Sequence, residues 1–272
     1  MLNVLRNMLL EPGIIDNIND DNELLAIHRN ILSRKPLLKS AYLYFYDEMI
    51  KICDEMFSTD GLEIEIGSGV GFFKEVRKNV ITTDIRNSDQ IDMKLNALKM
   101  SFKDSSVKCI YAVNVFHHLS DIELFFYEIN RSLKVGGGCI LIEPHIGFAS
   151  RLIHTYLHKN ETFLPDEPDW SNQSVTGPLN GANQALSYIV FERDYNKFKK
   201  KYGTSLRIVY QQYALNSLKF FFSGGLNFKQ LIPNWMVPVL SFAENIFSSC
   251  AVHWSLHKII VIKKIGDSSI YS

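Results

Sequence analysis

The sequence predicts an α/β fold built on a mostly parallel sheet, and three observations carry that expectation. The stretch "LEIEIGSGVGFF" (62–73) alternates like a strand and then places three glycines in five residues. A strand running into a glycine-rich turn is how α/β proteins bring backbone N–H groups up to a nucleotide-like ligand. Strand-like and helix-like runs then alternate as far as Glu143, a pattern that implies parallel strands joined by right-handed crossovers. Finally, 46% of the 272 residues are hydrophobic, enough to bury a sizeable core without disulfides or metals.

The elements follow in chain order. The opening "MLNVLRNMLLEPG" has too short an apolar run and no cleavage site for a signal peptide. Residues 20–58 carry apolar side chains at helical spacing, interrupted at Pro36, and predict a helical N-terminal extension. Its Tyr42, Phe45 and Tyr46 read as core packing, with closure of a tyrosine over a ligand as the alternative. Strands are expected at 62–66, 80–85, 107–113 and 138–143, and helices at 71–78, 92–98 and 121–133. "RSLKVGGG" (131–138) reads as a helix end followed by a glycine turn.

Beyond Glu143 the pattern loosens. A helix is expected over 146–160, and a long loop over 161–183, where three of the eight prolines fall. A helix over 184–202 follows, then strands at 205–213 and 257–264. These divisions describe one domain: a helical extension (1–58), a ligand-binding core (59–145), an acceptor-side insertion (146–204), the remaining strands with an apolar helical insertion (205–265, insertion 215–255) and a polar tail (266–272).

Composition narrows the function. Lys plus Arg and Asp plus Glu both number 29, a balance that gives no footprint for tight binding to a nucleic-acid backbone but leaves room for a local basic patch; no nucleic-acid partner is expected. The four cysteines form no C-x-x-C pair, which suits a reducing, cytoplasmic compartment. No run of eighteen apolar residues predicts a membrane span.

The glycine turn sharpens the reading. A dinucleotide site wants G-x-G-x-x-G, but Phe72 stands where its last glycine belongs. The spacing is G-x-G-x-G, with Glu65 two positions ahead and a helix expected to start near Gly71. A ligand with a carboxylate and a nucleoside but no phosphate fits this turn. Asp84 ends the next strand, about 20 positions on, where a carboxylate can accept two hydrogen bonds from a ribose diol.

Glu65-Ile66-Gly67-Ser68-Gly69-Val70-Gly71 resembles motif I of class I S-adenosylmethionine-dependent methyltransferases. "NALKMSF" (96–102), "VNVFHHLSD" (113–121) and "RSLKVGGGCILIEP" (131–144) are similar to the later segments of the small-molecule, type 11-like group of that family. The resemblance implies a Rossmann-like, seven-stranded, mostly parallel sheet with one antiparallel strand. It also implies S-adenosylmethionine as cofactor, held by Glu65, Gly67, Ser68, Gly69, Gly71, Asp84, Ile85, Asn96, Ala97 and Asn114. The flanks resemble bacterial methyltransferases associated with surface-polysaccharide or lipid-linked glycan biosynthesis.

Open α/β sheets bind ligands at the carboxyl ends of their strands. Those ends supply His117, His118, Glu143 and His145 as candidates for the base that an oxygen acceptor needs; if Glu143 lies beside His118, the pair resembles a base with its orienter. The expected acceptor is a small molecule, a sugar or a lipid-linked compound, contacted by Tyr46, Asn180, Asn183 and Gln184. The pairs His154/His158 and His253/His257 have metal-like spacing but lack a neighbouring Glu and a third ligand, so no metal is expected. The apolar stretch 218–252 reads as a cover for the sheet or a subunit contact. Its alternatives are a wall for an acyl chain and a peripheral membrane contact, and the oligomeric state stays open. Two rival functions remain: a non-catalytic binding protein of the same fold, and a nicotinamide-dependent oxidoreductase.

Overall fold

The computed structural model describes residues 8–14, 21–70, 72–148, 150–151, 153, 161–170 and 181–267. Two helices come first, α1 (Asp21–Arg34) and α2 (Pro36–Met56), separated by Lys35, with Pro36 at the first position of α2, where its missing N–H costs nothing. Seven strands follow: β1 (Leu62–Ile66), β2 (Ile81–Asp84), β3 (Met93–Lys94), β4 (Val107–Val113), β5 (Leu133–Pro144), β6 (Leu206–Tyr213) and β7 (His257–Lys264). They form one sheet in the order β3-β2-β1-β4-β5-β7-β6. All neighbours are parallel except β7, which runs antiparallel to both β5 and β6. The order reverses between β1 and β4, and that switch point is where an open α/β sheet has its ligand crevice.

The central strands are buried on both faces, and two apolar clusters cover the two sides. One contains Phe116, Phe125, Phe126 and Phe191 and is supplied by α3 (Ile122–Ser132) and the helical run from Leu186 to α4 (Tyr195–Tyr202). The other contains Phe45, Met49, Phe73 and Tyr111 and is supplied by α2. Asp121 caps α3 by accepting from the Leu124 N–H at 2.9 Å.

Three sequence expectations need correction. Of the helix expected over 71–78, the described residues 72–78 form only one 3₁₀ turn, over Phe72–Glu75. Phe73 stacks on Tyr46 (centroids 4.4 Å) and meets Tyr111 edge-on (4.9 Å), which pins the segment to α2. A turn this short offers no helix N-terminus to a ligand. Nor does a helix form over 92–98. Asp92 accepts from the Thr82 N–H and hydroxyl, Asn96 Oδ1 accepts from the Leu98 N–H, and these local bonds replace the helical ones. Finally, the glycines of 136–138 lie inside β5, which starts directly after α3. A Cβ on Gly138 would meet the Phe57 ring at 2.4 Å and the Ile262 carbonyl at 2.5 Å, so the glycine serves close packing within the sheet.

Two further helices belong to the apolar stretch, α5 (Ser217–Ser223) and α6 (Val237–Ile246). α5 packs on α2, and α6 is tied to α5 by Glu244, which accepts from the Lys219 N–H (3.1 Å) and pairs with its ammonium (3.2 Å). The outer side of α6 and its flanks stays open: Trp235 is 71% exposed and Phe242 68%, with Val239, Ile246 and Phe247 also exposed. The stretch is therefore a cover on one side only. Among the described residues no single helix is long and apolar enough to cross a membrane.

Candidate active site

The turn after β1 is built by hydrogen bonds from its own side chains. The Ser68 hydroxyl donates to the Glu65 carbonyl (3.3 Å) and accepts from the Thr83 N–H (3.0 Å), clamping the turn to β2. Gly67 and Gly69 adopt φ of +63° and +56°, a region that costs residues with a Cβ. A Cβ at Gly67 would meet Val115 Cγ2 at 2.4 Å, whereas at Gly69 its nearest neighbours are 4.0 Å away. Gly67 is needed for packing; Gly69 faces open space. Gly71 lies outside the described residues.

Two cavities of about 290 and 300 Å³ open at the carboxyl ends of β1, β2 and β4. They meet at Gly67, Arg86, Asn114 and His118, so they form one cleft. The second holds Asp84, Ile85, Asn96 and Ala97 with the apolar side chains of Leu95, Leu98 and Leu119, a slot suited to a flat base and its sugar. The first holds Glu65, Tyr46, His117, Glu161 and Gln184, together with the apolar Phe220, Leu226 and Leu256.

Glu65 is 3% exposed, and its Oε2 has no hydrogen-bond partner among the described residues. Burial pushes its carboxyl up to about 8, against the pull of Ser68 and Tyr46. A buried, unpartnered carboxylate oxygen beside a glycine turn suits an ammonium group. Asn114 sits at φ +56° with its Oδ1 buried and without a hydrogen-bond partner among the described residues, a strained conformation at the cleft.

Asp84 departs from the simple diol picture. Its two oxygens accept from the Gly69 N–H (3.0 Å), the Arg86 N–H (2.9 Å) and the Arg86 guanidinium (2.9 Å at both Nε and Nη2). Burial opposes ionisation, but Arg86 outweighs it and holds the carboxyl below its ordinary range. A ribose at Asp84 must share these oxygens with Arg86. The sequence reading missed Arg86; its only signal was a basic residue two positions after Asp84. Asn96 likewise places its Oδ1 on the Leu98 N–H, so any contact to an adenine amino group shares that oxygen.

Past β4, Phe116–His118 form a 3₁₀ turn, and Glu143 on β5 reaches across to organise it. Its oxygens accept from the N–H groups of Val115 (2.9 Å), Phe116 (2.8 Å) and His117 (3.2 Å), and from His117 Nδ1 at 2.6 Å. Glu143 thus pairs with His117 and not with His118: the turn directs the first histidine back to the sheet. Burial works against a charge on His117, but Glu143 outweighs it and raises its pKa. Burial, then the charges of His117 and Arg86, hold His118 well below its ordinary value. Its Nδ1 is buried without a hydrogen-bond partner among the described residues, and its Nε2 lies 3.7 Å from Glu161 Oε1. Fully buried and occupied by four donors, Glu143 is not a free base. His145 also leaves the list of bases: its Nε2 donates to the Val252 carbonyl (3.0 Å), its ring packs on Tyr213 (4.7 Å), and it does not line the cleft.

On the acceptor side, Tyr46 lines the cavity while stacked on Phe73, so core packing and ligand contact coincide in one residue. Asn183 is a correction. Its Oδ1 accepts from the N–H groups of Leu164 (3.0 Å) and Ala185 (3.1 Å), and its Nδ2 donates to the Leu164 carbonyl (3.0 Å). The amide ties the chain to itself. Gln184 Oε1 is buried, without a hydrogen-bond partner among the described residues, and the residue lines the cavity. Asn180 lies outside the described residues, as do His154 and His158. The charged trio 192–194 forms a scaffold network: Lys258 pairs with Glu192 (2.8 Å), and Arg193 with Asp194 (2.9 Å).

The strand order with its antiparallel β7, the glycine turn and the cleft together define a Rossmann-like fold of the class I methyltransferase kind. Residues 64–141 match the family model described as a methyltransferase domain. The matched segment supports methyltransferase activity with S-adenosylmethionine as cofactor. Among solved structures, the chain is similar to geranyl diphosphate C-methyltransferase from Streptomyces coelicolor A3(2), at 14% identity over 93% of this chain and 86% of that one, with a TM-score of 0.48. It is also similar to a putative sarcosine dimethylglycine methyltransferase from Galdieria sulphuraria, at 12% identity over 85% and 86%, with a TM-score of 0.42. No curated protein matches the chain.

Proposed function

We propose that this protein transfers the methyl group of S-adenosylmethionine to an oxygen of a lipid-linked acceptor, working from the cytoplasmic side at a membrane surface. The observation that carries the reading is the mixed lining of the acceptor cavity. His117, His118, Glu161 and Gln184 give it polar groups, and Phe220, Leu226 and Leu256 give it apolar ones. Such a cavity accommodates a polar reacting group with an apolar chain leading away from it. Phe220 belongs to α5, and α6, held to α5 by Glu244, presents the exposed row Trp235, Val239, Phe242 and Ile246. Aromatic and aliphatic side chains without exposed charges between them suit the headgroup boundary of a bilayer.

When bound, the cofactor supplies a sulfonium methyl already activated for displacement. The chain's own residues position the acceptor and help remove its proton. That second task falls to the His117–His118–Glu161 cluster, because Glu143 and His145 are occupied elsewhere. The surface-glycan association loses the support of Asn183, so the lipid portion, read from the apolar lining, is the stronger part of the proposal.

The test is transfer of labelled methyl groups from S-adenosylmethionine into a bacterial extract split into organic and aqueous phases. Label in the organic phase supports a lipid-linked acceptor. Label confined to water-soluble compounds overturns that acceptor class while leaving the methyl transfer standing.

A further inference from the structure

We infer that His117, His118 and Glu161 form a binding site for one divalent transition-metal ion in the acceptor cavity. Glu161 lies 44 positions beyond His117 in the chain, so no sequence spacing announces the cluster. The fold assembles it. Thr162 pairs with Asn183, whose N–H donates to the His117 carbonyl at 3.3 Å, and this seats Glu161 against the histidine turn.

The distances are those of ligands around an ion. His118 Nε2 lies 3.7 Å from Glu161 Oε1, and His117 Nε2 lies 4.0 Å from Glu161 Oε2. Hydrogen bonds between such atoms close to about 3.2 Å or less. Ligands each about 2.1 Å from one metal are instead about 3 to 4 Å apart, depending on the angle between them. One ligand atom from each of the three residues falls within 4.8 Å of the others, so small side-chain shifts complete the set.

Two independent features point the same way. Glu143 holds His117 Nδ1 at 2.6 Å, and three backbone N–H groups hold Glu143 in turn. A carboxylate behind the far nitrogen of an imidazole is the support that metal-ligating histidines usually have, since it fixes the tautomer and the ring direction. Glu161 Oε2 is buried and has no hydrogen-bond partner among the described residues, and His117 Nε2 faces it at 4.0 Å. A divalent ion satisfies that oxygen.

Two imidazole nitrogens and one carboxylate favour Zn²⁺, Mn²⁺, Fe²⁺ or Co²⁺ over Mg²⁺ and Ca²⁺, which prefer oxygen ligands throughout. Three protein ligands leave positions open toward the cavity. The inference deepens the proposed function and rests on it for its role. An acceptor hydroxyl bound at an open position loses its proton to solvent more easily, and its oxygen then forms the new bond to carbon as the carbon–sulfur bond breaks. No oxidation or reduction is involved.

The test uses the full chain, stripped with a chelator and titrated calorimetrically with Zn²⁺ alone and with Mn²⁺ alone. Co²⁺ absorption bands report the ligand set. One ion per chain is expected. Glu161→Gln should weaken it at least tenfold, and Glu143→Gln, which weakens the support behind His117 and the turn that carries it, by about tenfold. S-adenosylhomocysteine binding and the melting temperature of Glu161→Gln, measured alongside, establish that the variant is folded. Wild-type protein that takes up no ion, or folded Glu161→Gln that binds it as wild type does, overturns the site. Either result leaves cofactor binding and methyl transfer intact, so failure here is distinct from failure of the methyltransferase reading.

Discussion

The two ends of the cleft are built differently. The cofactor end comes from short consecutive pieces, β1 with its turn, β2 with Asp84, and β4 with Asn114, all between residues 62 and 114. The acceptor end gathers Tyr46, Glu161, Gln184 and Phe220, which lie in four separate parts of the chain. At the first end, local backbone geometry decides function: left-handed glycines, a serine clamp, and an asparagine at positive φ. At the second, function depends on which loop settles on which. The first kind of site leaves a sequence pattern, and the second leaves only composition.

The largest expected effect breaks the cofactor end alone. Gly67→Val should lower S-adenosylhomocysteine affinity at least a hundredfold by calorimetry. The new side chain needs a left-handed backbone that costs about 1–2 kcal/mol, and its Cβ would collide with Val115. Nearly normal binding would show that the turn does not cradle the cofactor.

Glu143→Ala should strike both ends, because the turn it holds lies between them. The change leaves three backbone N–H groups and His117 without their carboxylate, and should cost about 3 kcal/mol in urea unfolding. Glu143→Gln keeps an acceptor oxygen and should cost less.

Asn183→Ala probes the acceptor end. It removes three hydrogen bonds within the loop and should lower stability by about 2 kcal/mol, with cofactor affinity unchanged. A stable variant with a raised acceptor KM would instead return Asn183 to substrate binding.

The same contrast explains what could be read beforehand. β1, β2, β4, β6 and β7 were legible because buried strands concentrate apolar residues and the turns carry their own punctuation. β3 was not, since its two residues are too few to show a period, and its neighbours follow side-chain-to-backbone bonds of Asp92 and Asn96. The missing helix after Gly69 follows from the tertiary stacking of Phe73 on Tyr46, which no local pattern encodes. Which of two adjacent histidines meets Glu143 depends on the pitch of a 3₁₀ turn. Glu161 and Arg86 carry no motif, and only the packed structure shows them facing the cleft.

The smallest effect sharpens the cofactor end through pH. Glu65, with its pKa near 8 in the free protein, is mostly protonated at pH 7. Binding an ammonium favours its ionised form and releases a proton, so affinity should rise several-fold from pH 6 toward pH 8 and level off above it. Folding runs the opposite way. The unfolded chain loses this proton near 4.5 and the folded one near 8, so Glu65 lowers stability progressively across that window. Calorimetry in buffers of different ionisation enthalpy measures the released proton, and Glu65→Gln should abolish the pH dependence.

The most direct measurement is a calorimetric titration of the purified chain with S-adenosylhomocysteine and, separately, with NAD. One S-adenosylhomocysteine bound per chain with micromolar affinity, and no heat from NAD, is the predicted result. Binding of NAD, or no binding of S-adenosylhomocysteine, would contradict the assignment of the cleft.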